Sequence, residues 1–162
     1  MTRQRGCTAA DFPRTVREAF PHCRVQAGLQ GLKPAHRAQV RVDRTRDLLG
    51  SMNLDACYQA REPNAPRWDY LIGWCNAQTQ EEHLYFLEVH QAKPEAVSQV
   101  LRKKKWVVQK IRGRAPARKK HFFCWATTRK TTLLKHSAAL RKLAQQGIIF
   151  VGYRLHIPRG CE

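Results

Sequence analysis

Two apolar runs, WDYLIGWC (68–75) and HLYFLEVH (83–90), flank the polar segment NAQTQEE (76–82). Their length and their aromatic and β-branched content predict two strands joined as an extended hairpin. Ahead of them, PAHRAQVRVDRTRDLLG (34–50) opens on Pro and closes on Gly. Ala38, Val42, Thr45 and Leu49 recur in it at helical spacing, which predicts a helix, although QVRV also reads as a strand. SMNLDACYQA (51–60) is a candidate strand, and REPNAPR (61–67) is a turn by composition. After the hairpin, KPEAVSQVLRKKKWVVQKIRG (93–113) predicts a helix with Pro94 in its first turn and Gly113 past its end. Its apolar face is Val97, Val100, Leu101, Val108 and Ile111. RAPARKK (114–120) is a basic loop and HFFCWATT (121–128) a buried-type strand. KTTLLKHSAALRKLAQQG (130–147) is a helix closed by Gly147, and IIFVGYRLHI (148–157) a final strand.

This alternation after a hairpin predicts an α/β fold, a mixed central β-sheet flanked by helices. The 162 residues suit one domain with its own core. Residues 1–33 read as an N-terminal extension or a first helix over TAADFPRTVREAF, and 34–162 as a single domain. No apolar run reaches the roughly 18 residues of a membrane span. No charged-then-apolar leader opens the chain, so a cytoplasmic protein with no membrane partner is expected. Six cysteines (7, 23, 57, 75, 124 and 161) form no CxxC pair. Buried, reduced thiols are the simpler expectation, and no zinc spacing is present.

Charge changes the picture most. Thirty Lys and Arg face twelve Asp and Glu, for a net charge of +18. From Ala96 to Cys161 there are seventeen Lys or Arg and no carboxylate. A solvated surface normally mixes both signs, and a one-sided field suits a polyanion, of which nucleic acid is the commonest. Arg102, Lys103, Lys104, Lys105, Lys110, Arg112 and Arg114 run along the helix after the hairpin and into its loop. Arg118, Lys119, Lys120, Arg129 and Lys130 flank the next strand. Together these are the expected phosphate contacts. Trp106 on that helix is a core residue or a platform for a base, the core being favoured.

The hairpin holds the candidate chemistry. Setting Asp69 opposite Glu88 centres the turn between Gln78 and Thr79, inside the polar segment. Directly opposed residues share a face of the sheet, and His90 points to that face too. Two facing carboxylates repel unless something positive sits between them. A divalent cation is the usual answer, and magnesium takes one or two carboxylates together with substrate phosphates. The bland alternatives are a strand-capping Asp69, a Glu88 paired with Arg67, and an ordinary strand-end His90. Walker-type phosphate loops, HExxH and GxSxG are all absent.

The pair PRWDY and LEVHQAK on a hairpin followed by a helix resembles the PD-(D/E)XK nuclease superfamily. The resemblance covers roughly residues 34–157 by order of elements. It implies a restriction-endonuclease-like core that hydrolyses phosphodiester bonds in DNA, less often RNA. Asp69 and Glu88 would hold Mg2+ or Mn2+. The family usually has Lys where this chain has His90, so either His90 does that work, with Lys93 a nearby substitute, or the site is altered. A further carboxylate from the first helix would come from Asp43 and Asp47, or from Glu18, and spacing does not choose between them. Gln99 and Gln109 are candidate polar residues on the following helix. A homodimer is a further expectation, since many such nucleases pair to cut both strands. The alternatives are a nuclease scaffold that only binds nucleic acid, and a basic adaptor for an acidic protein.

Overall fold

The computed structural model describes residues 7–159. It is a mixed α/β fold built on a five-stranded sheet, and helices cover one of its faces. Strands β2 (Leu48–Asn53), β3 (Tyr70–Asn76) and β4 (Glu81–Val89) form an antiparallel meander. From β4 the chain crosses through helix α4 (Val97–Ile111) to strand β5 (Lys120–Ala126), which lies parallel to β4. Helix α6 (Ala138–Gln145) makes a second crossover to β6 (Ile148–Phe150), parallel to β5. Parallel neighbours need a crossover connection, and α4 and α6 lie in the two that this sheet has.

The sheet is buried on both faces, and its strands read as near-continuous apolar runs for that reason. On one face Leu71, Leu84, Phe86, Phe123 and Trp125 pack under α4, α6 and helix α1 (Asp11–Arg17). α1 contributes Phe12 and Val16 to that core, followed by Phe20. Gly73 leaves the space that the Phe12 ring fills, since a Cβ there would meet the ring at 2.6 Å. On the other face Tyr70, Ile72, Tyr85, Leu87 and Cys124 pack beneath a two-stranded parallel ribbon of β1 (Val40–Val42) and β7 (Leu155–Ile157).

Several elements differ from the sequence reading. Residues 34–50 are not one helix. A short turn of helix, α2 (Pro34–Arg37), leads into β1 and then into β2. The helical stripe lost to a long-range partner: Asp43 N–H bonds Ile157 O at 3.0 Å and Leu155 N–H bonds Gln39 O at 2.8 Å. The strand expected over 51–60 ends at Asn53, whose side chain caps α3 (Leu54–Tyr58) by accepting from Ala56 N–H. The basic loop contains one more short helix, α5 (Ala115–Arg118). The helix expected over 130–147 begins only at Ala138, where Ser137 Oγ accepts from Leu140 N–H. The last strand is broken in two at Gly152, whose φ is +73°.

The cysteines differ most. Cys7 pairs with Cys75 and Cys23 with Cys57, while Cys124 is buried. Both bridges tie the N-terminal segment to the sheet region, one to β3 and one to α3. Their loops span 68 and 34 residues. On chain entropy each is worth about 4 kcal/mol. A reductant is therefore expected to lower the unfolding midpoint by about 10 °C or more, read by calorimetry with and without a phosphine. An unchanged midpoint would mean the bridges contribute nothing.

Candidate metal centre

The β3–β4 register pairs Tyr70 with Leu87, so the next step outward brings Asp69 and Glu88 together. Asp69 N–H donates to Glu88 Oε1 at 3.0 Å, and Val89 N–H donates to Asp69 Oδ2 at 2.9 Å. Glu88 follows Leu84 and Phe86 on the helix-covered face, so its side chain is driven under α4 and is 0% exposed. His90 lies two residues on. Its Nδ1 is 2.9 Å from Glu88 Oε2, and its ring packs 4.9 Å from the Trp125 ring. Trp125 Nε1 donates to the His90 carbonyl at 3.2 Å. One ligand atom each from Asp69, Glu88 and His90 lie within 4.8 Å of one another. The hairpin geometry expected from the sequence is therefore present.

A fourth residue completes the cluster. Lys103 Nζ donates to Glu88 Oε2 at 2.5 Å, with the lysine side chain 16% exposed. The sequence reading had grouped it with the phosphate contacts. Its signal was there: Lys103 falls three residues after Val100 and four before Val107, on the stripe that α4 buries. Lys93 is exposed at the head of the helix, where its carbonyl accepts from Ala96 N–H.

Charge at the site is unbalanced. Two carboxylates share one permanent cation. Burial, and then the Glu88 charge, push the Asp69 carboxyl up to about 8, with Lys103 and the Val89 amide opposing. Burial would lower Lys103, but the Glu88 and Asp69 charges outweigh it and raise it. Metal-free, the cluster lacks one positive charge at neutral pH and makes up the difference with a proton. A divalent cation fits that deficit and that all-oxygen-plus-imidazole donor set.

The remaining candidates are elsewhere. Asp43 pairs with His156 and Asp47 with Arg44, both beside the end of β2 remote from Asp69. Glu18 accepts from Ala115 N–H and sits 3.6 Å from Arg118. Arg67 pairs with Asp55, not with Glu88. Gln99 and Gln109 are exposed on α4. Trp106 is core: it packs edge-on to Tyr58 and donates to Glu62.

The expected phosphate contacts do not form one surface. Lys110 is held by Glu62 and lies 4.6 Å over the Tyr58 ring. Arg118, Lys119 and Lys120 gather where β5 begins, at the opposite end of the sheet from Glu88, and Lys119 is 3.7 Å from Glu82. Arg112 and Arg114 are exposed beyond α4. Arg102, Lys104 and Lys105 line a groove of about 460 Å³ between α4 and α6, joined by Lys142, which the sequence reading did not single out. Arg129 and Lys130 are exposed just past β5, at the same end of the sheet as the cluster.

Two outcomes are expected. Asp69 is raised in the fold, so its protonated form stabilises the protein fully below about 4, and that contribution is lost as pH climbs through about 8. Metal-free protein should lose thermal stability over that window more steeply than Asp69→Asn, and Mn2+ should restore wild type most at the alkaline end; parallel profiles would refute the charge deficit. Separately, Lys103→Met leaves the carboxylates without their cation and should cost about 3 kcal/mol in denaturant unfolding. Added Mn2+ should recover part of that loss. The chain matches no protein-family model, no curated protein and no solved structure, so its functional reading rests on this geometry.

Proposed function

We propose that this protein is a metal-dependent nuclease that hydrolyses phosphodiester bonds in nucleic acid, DNA before RNA. The observation that carries the reading is the convergence of Asp69, Glu88, His90 and Lys103 at one end of a hairpin in a protein of net charge +18. The architecture supports it: a meander, a crossover helix and a parallel fourth strand follow the order expected of a restriction-endonuclease-like core. Asp69 and Glu88 would hold Mg2+ or Mn2+, with His90 as a further ligand or as the group that fixes Glu88. Such a cation, when bound, polarises the scissile phosphate and lowers the pKa of an attacking water.

Lys103 takes the part expected of the family's lysine. It brings a permanent charge to the carboxylates from α4 rather than from β4 and stabilises the charge that develops on the phosphate. Arg129 and Lys130 flank the same end of the sheet and steer the polyanion there. The paired cysteines favour an oxidising compartment over the reduced cytoplasm.

A second reading has its own observation. Lys103 already supplies a cation to Glu88, so the same scaffold would bind nucleic acid without cutting it. Cleavage separates the two. On the nuclease reading, plasmid and single-stranded DNA are cut with Mn2+ or Mg2+ and spared in EDTA. Asp69→Asn should abolish cutting while binding persists, and Lys103→Ala should slow it by about 100-fold. Binding by wild type with no cutting under any metal would leave the binding-only scaffold.

A further inference from the structure

The segment after His90 is a junction. Ala92 N–H donates to Thr127 Oγ1 at 3.0 Å. The Ala92 carbonyl accepts from Thr132 N–H at 3.2 Å and from Thr131 Oγ1 at 3.0 Å. Thr127 N–H in turn donates to Gly152 O at 2.8 Å. The buried Gln39 side chain then closes the joint, donating Nε2 to Thr127 O at 2.7 Å and to Tyr153 O at 3.1 Å. Two surface loops are thus bolted, through backbone and buried polar groups, to a residue two positions from the metal centre.

What those loops present is unusual. Most large apolar side chains of the described residues are covered, yet Tyr153 is 54% exposed and Leu134 is 73% exposed. One sits on each loop. The same two loops carry Arg129, Lys130 and Arg154, all exposed. No carboxylate occurs from residue 96 to 161, so neither loop has one of its own. Tyr153 is held by its carbonyl, and more than half of the residue is exposed.

Resting on the nuclease reading, we infer that this edge receives an unpaired nucleotide, with Tyr153 as the platform on which its base stacks and Arg129 and Lys130 as its phosphate contacts. An aromatic face among cations is the recurring device for single strands, because every base offers a π-face and every linkage a charge. A paired base keeps its faces inside the duplex stack and gains nothing from the ring. The substrate class is therefore nucleic acid with a single-stranded segment beside the scissile bond, such as a free strand, a flap or a frayed end. A rigid mounting suits this role, since a preorganised platform loses little entropy when the base arrives.

The test is equilibrium binding in EDTA, so that no cutting intervenes. The probes are a fluorescein-labelled mixed-sequence DNA strand and the same strand annealed to its complement. Tyr153→Ala should weaken single-strand binding by about tenfold, as loss of one stacked base predicts. Tyr153→Phe should keep wild-type affinity, and duplex binding should be equal in all three proteins. Equal loss on strand and duplex, no loss on either, or loss of affinity in Tyr153→Phe would each overturn the proposal. So would wild type that binds no single strand. Cleavage of the duplex by wild type but not by Asp69→Asn would uphold the nuclease reading even then, so the two ideas fail separately.

Discussion

Two carboxylates held together at a hairpin end, one of them beneath a helix, constrain everything around them. Glu88 is fully covered and Asp69 donates its amide to it, so neither can move away from the other without breaking the ladder. Mutual repulsion of this kind must be answered by positive charge from outside the hairpin. α4 answers it with Lys103, which requires that helix to cross the sheet where it does. The crossover to β5 then follows, and β5 brings Trp125 under the His90 ring. The central fold and the charge of the site are in this sense one problem with one solution.

The hairpin was legible in the sequence because a strand's period is two. Once the polar turn is located, the register and the faces of Asp69, Glu88 and His90 follow without knowledge of any other element. Lys103 was not legible by that route. Four basic residues in a row, Arg102 to Lys105, conceal which one turns inward, and only the Val100 and Val107 spacing marks it. The β1–β7 ribbon was hidden for a different reason. Val40–Val42 pairs with residues more than a hundred positions away, and local periodicity carries no information about such a partner. The disulfides are of the same kind: Cys7 and Cys75 are neighbours only after α1 has docked on β3.

The segregated charge of the chain also takes on a meaning it lacked. Acids of the N-terminal part reach across to bases of the C-terminal part, as Glu62 does to Lys110 and Glu18 to Arg118. These contacts spend some of the basic residues on holding the fold, which a composition argument counts as available for a polyanion. Of the remainder, some line the α4–α6 groove, some gather where β5 begins, and Arg129 and Lys130 lie past its end. Arg129 and Lys130 share the carboxylates' end of the sheet, so place in the fold, not abundance of lysine, decides which cations stand there.

The histidine at position 90 can be understood from the same geometry. A carboxylate only accepts, so the 2.9 Å contact to Glu88 requires a proton on Nδ1 of His90. An imidazole does not carry the permanent charge of a lysine. It fixes one carboxylate oxygen, the oxygen that Lys103 also reaches. With the ammonium supplied from α4, a second one on β4 would crowd two like charges against a single carboxylate oxygen, at a Coulomb cost of several kcal/mol for an effective dielectric near 20. An imidazole avoids that cost while keeping the hydrogen bond. The imidazole of His90 and the ammonium of Lys103 thus meet one oxygen of Glu88 from two different elements, β4's end and α4.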